Sequence, residues 1–192
     1  MTEATFSDLP IEVLEIIVQK TFLVDRLVLR NVCKDLRNLV DSTEAYCDEI
    51  VFYFWETHTV VILENGGRRF RKTVGGDFQK EIIADASAFL KNTNLKIDKI
   101  LLTARSIQLL EEFLESLKSL TFKLDVRSIN IWKPENRVIP ILKFLKPGTL
   151  EEIQCNAEDW EDEELDEFME AEQWKRARTY SFRLSSFEAG KL

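Results

Sequence analysis

The sequence is poor in the residues that carry most metal and nucleophilic chemistry. Of 192 residues, one is histidine and three are cysteine. A single imidazole, His58, excludes zinc sites built from several histidines, and none of Cys33, Cys47 and Cys155 has a cysteine or histidine at zinc-finger spacing. Any Ser–His or Cys–His nucleophile must recruit His58, which lies in the apolar, strand-like stretch Thr57-His58-Thr59-Val60-Val61 and reads as a hairpin residue. The odd, widely spaced cysteines fit reduced thiols in an intracellular protein, cytoplasmic or nuclear, rather than a disulfide framework. Glycine is also scarce, at six. The pairs Gly66-Gly67 and Gly75-Gly76 match neither G-x-G-x-x-G nor a P-loop, so both are expected at turns and no nucleotide cofactor is implied. No apolar run approaches the ~18 residues of a membrane helix. The first ten residues carry acids and no base, which does not fit a signal peptide.

What is present is a globular composition, 45% apolar, on a chain long enough to bury roughly 70% of its unfolded surface. That length suits one sizeable domain, or a small one joined to a medium one. The acidity is local. Twelve acids and no Lys or Arg fall within residues 151–172, while the rest of the chain is slightly basic. Leu165, Phe168 and Met169 give this segment an apolar face, and Glu172 can pair with Arg176 at i+4. Acids early and Lys175, Arg176 and Arg178 late complement a helix dipole, so a solvated helix is expected. The competing readings are a docking face for a basic partner and a cation site, for which the oxygen spacing and central glycine of a calcium loop are missing.

The first forty residues read as three short helices. Ser7 or Asp8 can cap a helix with Pro10 in its first turn, and Pro10, Val13, Leu14 and Ile17 share one face that should be buried. Asp25 is the expected cap of a second helix carrying Leu29. A third should bury Val32, Cys33, Leu36 and Leu39 or Val40. Three helices in forty residues are marginal alone, and so broad an apolar face suggests completion by a partner.

The period then changes. Glu49–Trp55 and Thr59–Leu63 are β-branched and aromatic, as strands are, and Asn65-Gly66-Gly67 suits a tight hairpin turn. Arg68-Arg69-Phe70-Arg71-Lys72 follows. Four bases in five residues could contact nucleic-acid phosphates, but charge on both faces of a strand better suits an exposed edge that resists pairing. From Asp77 the chain alternates helix and strand. Phe78, Ile82, Ile83, Ala86, Phe89 and Leu90 share one helical face, and Ile107, Leu110, Phe113, Leu114 and Leu117 another after a Ser106 cap. Between helices a template recurs: Ile97-x-x-Ile100-x-Leu102, Val126-x-x-Ile129-x-Ile131, Leu150-x-x-Ile153-x-Cys155 and Ala177-x-x-Tyr180-x-Phe182. Its spacing falls in the leucine-rich-repeat range of ~20–29 residues, although Arg105, Pro134, Glu158 and Ser185 stand where that repeat has asparagine. Ile100, Ile129 and Ile153 should therefore lie on neighbouring strands.

Two sets of residues carry a family resemblance. Phe6-Ser7-Asp8-Leu9-Pro10-Ile11-Glu12-Val13-Leu14, followed by Leu29-Arg30-Asn31-Val32-Cys33-Lys34-Asp35-Leu36-Arg37, resembles an F-box, departing from it at Leu36, where many F-boxes have Trp. Phe144-Leu145-Lys146-Pro147-Gly148-Thr149-Leu150-Glu151-Glu152-Ile153 and Glu172-Gln173-Trp174-Lys175-Arg176-Ala177 resemble the FTH domain of a large nematode family of F-box proteins. The resemblance implies an F-box over 1–42 and an FTH domain over 43–192, short at its C-terminus relative to that family. The implied fold is α+β or α/β: a helical F-box, then a leucine-rich-repeat-like strand–helix layer opening with a β-hairpin. It implies structural roles for Pro147-Gly148, as a helix stop, and for Trp174, as a packing anchor. It further implies a non-enzymatic adaptor of a Skp–cullin–F-box ubiquitin ligase, docking on a Skp-type adaptor through Leu9, Pro10, Val13, Ile17, Val32 and Cys33 while its second domain binds a target protein. The readings that compete are an adaptor-binding decoy without substrate and a nucleic-acid binder using Arg68–Lys72. Neither a membrane nor a metal enters the expected function.

Overall fold

The computed structural model describes residues 9–132, 138–156, 160 and 162–183. Three helices come first: α1 (Ile11–Lys20), α2 (Leu23–Arg30) and α3 (Lys34–Ser42). Then follow β1 (Ala45–Phe54), β2 (His58–Asn65), β3 (Arg68–Gly75), α4 (Gln79–Leu90), β4 (Leu95–Ala104), α5 (Ile107–Leu117) and β5 (Asp125–Trp132). The chain continues through α6 (Val138–Leu142), β6 (Glu152–Asn156), α7 (Asp162–Glu170), α8 (Glu172–Arg176) and β7 (Thr179–Arg183). All these strands join one mixed sheet in the order β3-β2-β1-β4-β5-β6-β7. The β1–β2 and β2–β3 pairs are antiparallel, and every later pair is parallel.

The recurring template sets the parallel register. Ile97, Ile100 and Leu102 stand opposite Val126, Ile129 and Ile131. Ile129 and Ile131 stand opposite Ile153 and Cys155, which face Tyr180 and Phe182 in turn. Ile100, Ile129 and Ile153 are thus neighbours, as their spacing predicts. The pattern starts one strand earlier than the sequence reading has it, because Cys47, Ile50 and Phe52 pair with Ile97, Ile100 and Leu102. The β2–β3 hairpin separates this copy from the next along the chain, which hides it from a search for even spacing. Template side chains and the apolar faces of α4 and α5 form the main core, with Ile82, Leu90, Leu110 and Phe113 from the helices. On the opposite face Val51, Val60 and Ile62 form a separate cluster with Tyr53 and Leu101, and among the described residues no helix contributes to it.

Local chemistry explains the connections. Gly66 and Gly67 have φ of 57° and 75°, the left-handed backbone that a two-residue hairpin needs and that glycine adopts without strain. β3 is the sheet's edge, as its charge pattern predicts, and Arg69 and Lys72 are already held by Glu64 at 3.1 Å and Asp85 at 2.8 Å. The Ser106 side chain accepts from the Leu109 N–H at 3.4 Å, capping α5 as expected.

Three local expectations change. Phe78 precedes α4 and is exposed rather than sharing its buried face. Pro147-Gly148 does not stop a helix, because α6 already ends at Leu142 and the pair turns the chain into β6. The acidic segment breaks at Ala171 into two helices, with Phe168 fully buried, Met169 exposed and the Glu172–Arg176 pair, at 3.5 Å, inside α8. Trp174 lies between Phe168 and Tyr180, with ring centroids at 4.8 and 3.8 Å, so it does pack as an anchor. His58 stacks on Trp55 at 5.8 Å and has the Thr57 hydroxyl 3.0 Å from Nδ1, at the turn joining β1 to β2.

The cysteines divide by burial. Cys47 and Cys155 are inside the sheet's core, where burial pushes both thiols up to about 12. Cys33 is exposed. Since the thiolate is the reactive form, native protein should take up one equivalent of iodoacetamide, at Cys33, and all three only after denaturation. Mass spectrometry of the alkylated peptides checks this, and native labelling at Cys47 or Cys155 would contradict their placement.

Candidate docking face of the N-terminal helices

The three helices have a small core of their own: Leu14 and Val18 of α1, Leu36, Leu39 and Val40 of α3, and half-buried Leu29 of α2. Leu14 and Val18 are four residues apart, so they lie on one face of α1. That face is not the expected one. Pro10 and Val13 point outward and Ile17 is only half-buried, because Leu14 and Val18 take the position against α3.

The consequence is an uncovered apolar surface. Ile16 is 57% exposed, Val28 64% and Val32 63%, and Leu9, Ile11 and Val13 are exposed as well. Single exposed apolar residues are ordinary, but a set of six on a unit this small is what interaction surfaces look like. Five of the six residues expected to dock (Leu9, Pro10, Val13, Val32 and Cys33) are therefore outward, with Ile17 beside them. Ile11, Ile16 and Val28, which the sequence reading does not single out, are exposed with them. The signal was there, since Ile-Glu-Val-Leu-Glu-Ile-Ile-Val is apolar on more sides than one core contact can cover.

The turns between helices also differ from expectation. Pro10 is itself the N-cap of α1, with φ −54° and ψ 146°, and not a residue of the first turn; Ser7 and Asp8, the expected caps, lie outside the described residues. Phe22 holds the cap position of α2, and Asp25 sits in its first turn. Val32 and Cys33 are not buried in α3. They form the turn before it, and the Cys33 sulfur caps α3 by accepting from the Leu36 N–H at 3.5 Å.

Arg26 joins this unit to the sheet. Its guanidinium is buried and donates to three backbone carbonyls: Thr21 at 3.1 Å, Gln19 at 3.1 Å and Glu44 at 2.9 Å. Gln19 and Thr21 end α1, where the unpaired carbonyls carry the negative end of the helix dipole and suit a cation. Glu44 leads into β1. Leu23, one turn earlier on α2, is buried in the main core and not in the helical one. The Asn94 amide donates to the Asp41 carbonyl at 2.8 Å, and Arg30 holds the Asp41 carboxylate at 2.8 Å.

Two family models match parts of the chain. The family model of the F-box domain matches residues 6–48, so the chain carries an F-box over the three-helix unit and the start of β1. The model of the FTH domain matches residues 107–191, from α5 onward. The chain thus combines an F-box with an FTH domain. No curated protein matches the chain. F-box domains in general bind a Skp adaptor and through it a cullin, and both families are typically non-catalytic. No helix among the described residues is long and apolar enough to cross a membrane.

Proposed function

We propose that this protein is a non-enzymatic, substrate-recruiting adaptor of a Skp–cullin–F-box ubiquitin ligase, acting in the cytoplasm or nucleus. The F-box docks on the Skp adaptor through Leu9, Pro10, Val13, Ile17, Val32 and Cys33, joined by Ile11, Ile16 and Val28. Residues 43–192 act as one leucine-rich-repeat-like layer that holds a target protein. The observation that carries this reading is the set of apolar side chains left facing solvent on helices whose own core is already complete. Continuity of the sheet from β3 to β7 supports taking 43–192 as one unit, across residues 49–106 that neither family match includes. The chemistry is proximity: holding a target beside the ligase turns a bimolecular encounter into one at high effective concentration. Nucleic acid is not the partner in this reading, and Arg69 and Lys72 are already engaged by carboxylates.

The test is affinity purification of the full chain, with mass spectrometry, beside the Ile16→Asp variant. A point variant is preferable to deleting residues 1–42, because Leu23 and Arg26 tie α2 into the layer. Skp and cullin peptides should disappear from the variant while other partners remain. Retention of Skp and cullin by the variant would refute the docking face, and recovery of no further partner by the wild-type chain would favour the decoy. A direct check uses Cys33: saturating Skp should slow its alkylation at least severalfold, and an unchanged rate would remove Cys33 from the interface.

A further inference from the structure

The face of the sheet opposite the main core, on which no described helix packs, carries a chain of polar side chains with a loose end. On β6, the Glu152 carboxylate accepts from Ser128 Oγ at 2.9 Å and from Gln154 Nε2 at 2.7 Å. Gln154 in turn accepts from Asn130 Nδ2 at 2.8 Å. Both amides donate towards the carboxylate, so both carbonyl dipoles point away from it. The negative end of the chain emerges at Asn130 Oδ1, which is buried and has no hydrogen-bond partner among the described residues. Asn130 is only 9% exposed, and an unpaired buried acceptor requires a physical reason. Glu152 makes no ion pair with a Lys or Arg among the described residues, and neutral donors hold both its oxygens. Other carboxylates on these strands do have cations: Glu49 has Lys99 at 3.1 Å, Glu64 has Arg69 at 3.1 Å, and Asp98 has Arg127.

A net negative charge relayed to an unfilled acceptor is complementary to a cationic donor. We propose that this face, at Asn130, is the surface on which the second domain recognises its target, and that the target presents a basic side chain, Arg or Lys, to Asn130 Oδ1. The inference rests on the substrate-recruiting reading above and specifies the chemistry of that substrate. Register places Leu101 of β4 on one side of Asn130 and Gln154 of β6 on the other, with both side chains half-buried. Guanidinium or ammonium donation to a carbonyl oxygen backed by a carboxylate is stronger than a neutral bond. A phosphate would meet the wrong sign of charge, which disfavours nucleic acid here.

The experiment is selection of a random twelve-residue phage-displayed peptide library against the full chain, followed by affinity measurement of one synthetic peptide from the selected set. Selected peptides should share an Arg or Lys beside apolar residues. Replacing that base with Gln should weaken binding at least tenfold, and so should Asn130→Leu or Glu152→Gln in the protein. Glu152→Gln keeps the side-chain shape while removing the charge, so the proposal stays testable if Asn130→Leu does not fold. Selected peptides without a shared base, or equal affinity for folded Glu152→Gln, would overturn it. So would an Asn130→Leu protein that is folded and binds the peptide as the wild type does. Skp binding by the same preparations reports on the adaptor reading separately: its presence with failed peptide selection refutes this surface alone.

Discussion

A double variant, Val13→Asp with Ile16→Asp, is expected to lose Skp binding by at least about a hundredfold while remaining folded. Both side chains face solvent, so neither change disturbs the core of Leu14, Val18, Leu36, Leu39 and Val40. Burying one aliphatic side chain is worth ~1.5–3 kcal/mol, and central interface anchors cost ~2 kcal/mol or more when truncated. Placing a carboxylate in an apolar interface adds a desolvation cost of a few kcal/mol, and ~1.4 kcal/mol is tenfold in affinity. The milder pair Leu9→Ala with Pro10→Ala should weaken binding roughly tenfold to a few hundredfold. Titration calorimetry against purified Skp adaptor measures the loss, and circular dichroism confirms folding. Val18→Ala supplies the contrast: one turn away but fully buried, it should destabilise the F-box rather than act on binding directly. A folded double-aspartate variant with unchanged affinity would show that the docking face lies elsewhere.

Arg26→Ala should be the most damaging single change at the junction of the two domains. It removes three hydrogen bonds from a charged donor and leaves the carbonyls of Gln19, Thr21 and Glu44 to find water. Charge-assisted bonds contribute ~1.5–3 kcal/mol each, but the carbonyls recover part of that by hydration. Burial of the guanidinium also opposes its charge, lowering its pKa. A net loss of about 2–4 kcal/mol is expected, which for a chain of this length corresponds to a fall of roughly 5–15 °C in Tm. Arg26→Lys should recover only a small part, since an ammonium on a shorter stem cannot span three carbonyls set out for a planar fork. Because the helical core and the main core are separate clusters, the failure should be local. Limited proteolysis should cut near Thr43 and Glu44 while the strand layer stays resistant. Wild-type stability and wild-type cleavage in Arg26→Ala would mean that Leu23 and the Asn94–Asp41 bond hold the F-box unaided.

Much of this architecture can be read in one dimension. Leu-Pro and Val-Cys-Lys at their separation point to an F-box, and the template at residues 97, 126, 150 and 177 points to parallel strands with helices between them. Both signals are local or periodic, and local propensity and period are what a linear sequence expresses directly. The basic run Arg68–Lys72 reads as an edge strand for the same reason: charge on both faces of an alternating strand leaves no face to bury.

Other features were decided only by packing. Six apolar residues in the ten of α1 are compatible with several buried faces, and contact with Leu36, Leu39 and Val40 of α3 selects Leu14 and Val18. That choice leaves Val13 and Ile16 outward. Cys47-Ile50-Phe52 became the first strand of the parallel series because the hairpin after it folds away to the far side of β1. Arg26 reads in the sequence as one more charged residue of an amphipathic helix. Its role exists only where the end of α1 and the approach to β1 converge on it. Asn130 and Gln154 are 24 residues apart and meet only because β5 and β6 pair in register. A sequence states which side chains share a helix face or a strand face, since the backbone period sets that. Which face turns inward, and which polar groups from distant segments end as partners, depends on free energies of burial and hydrogen bonding that only the assembled layers define.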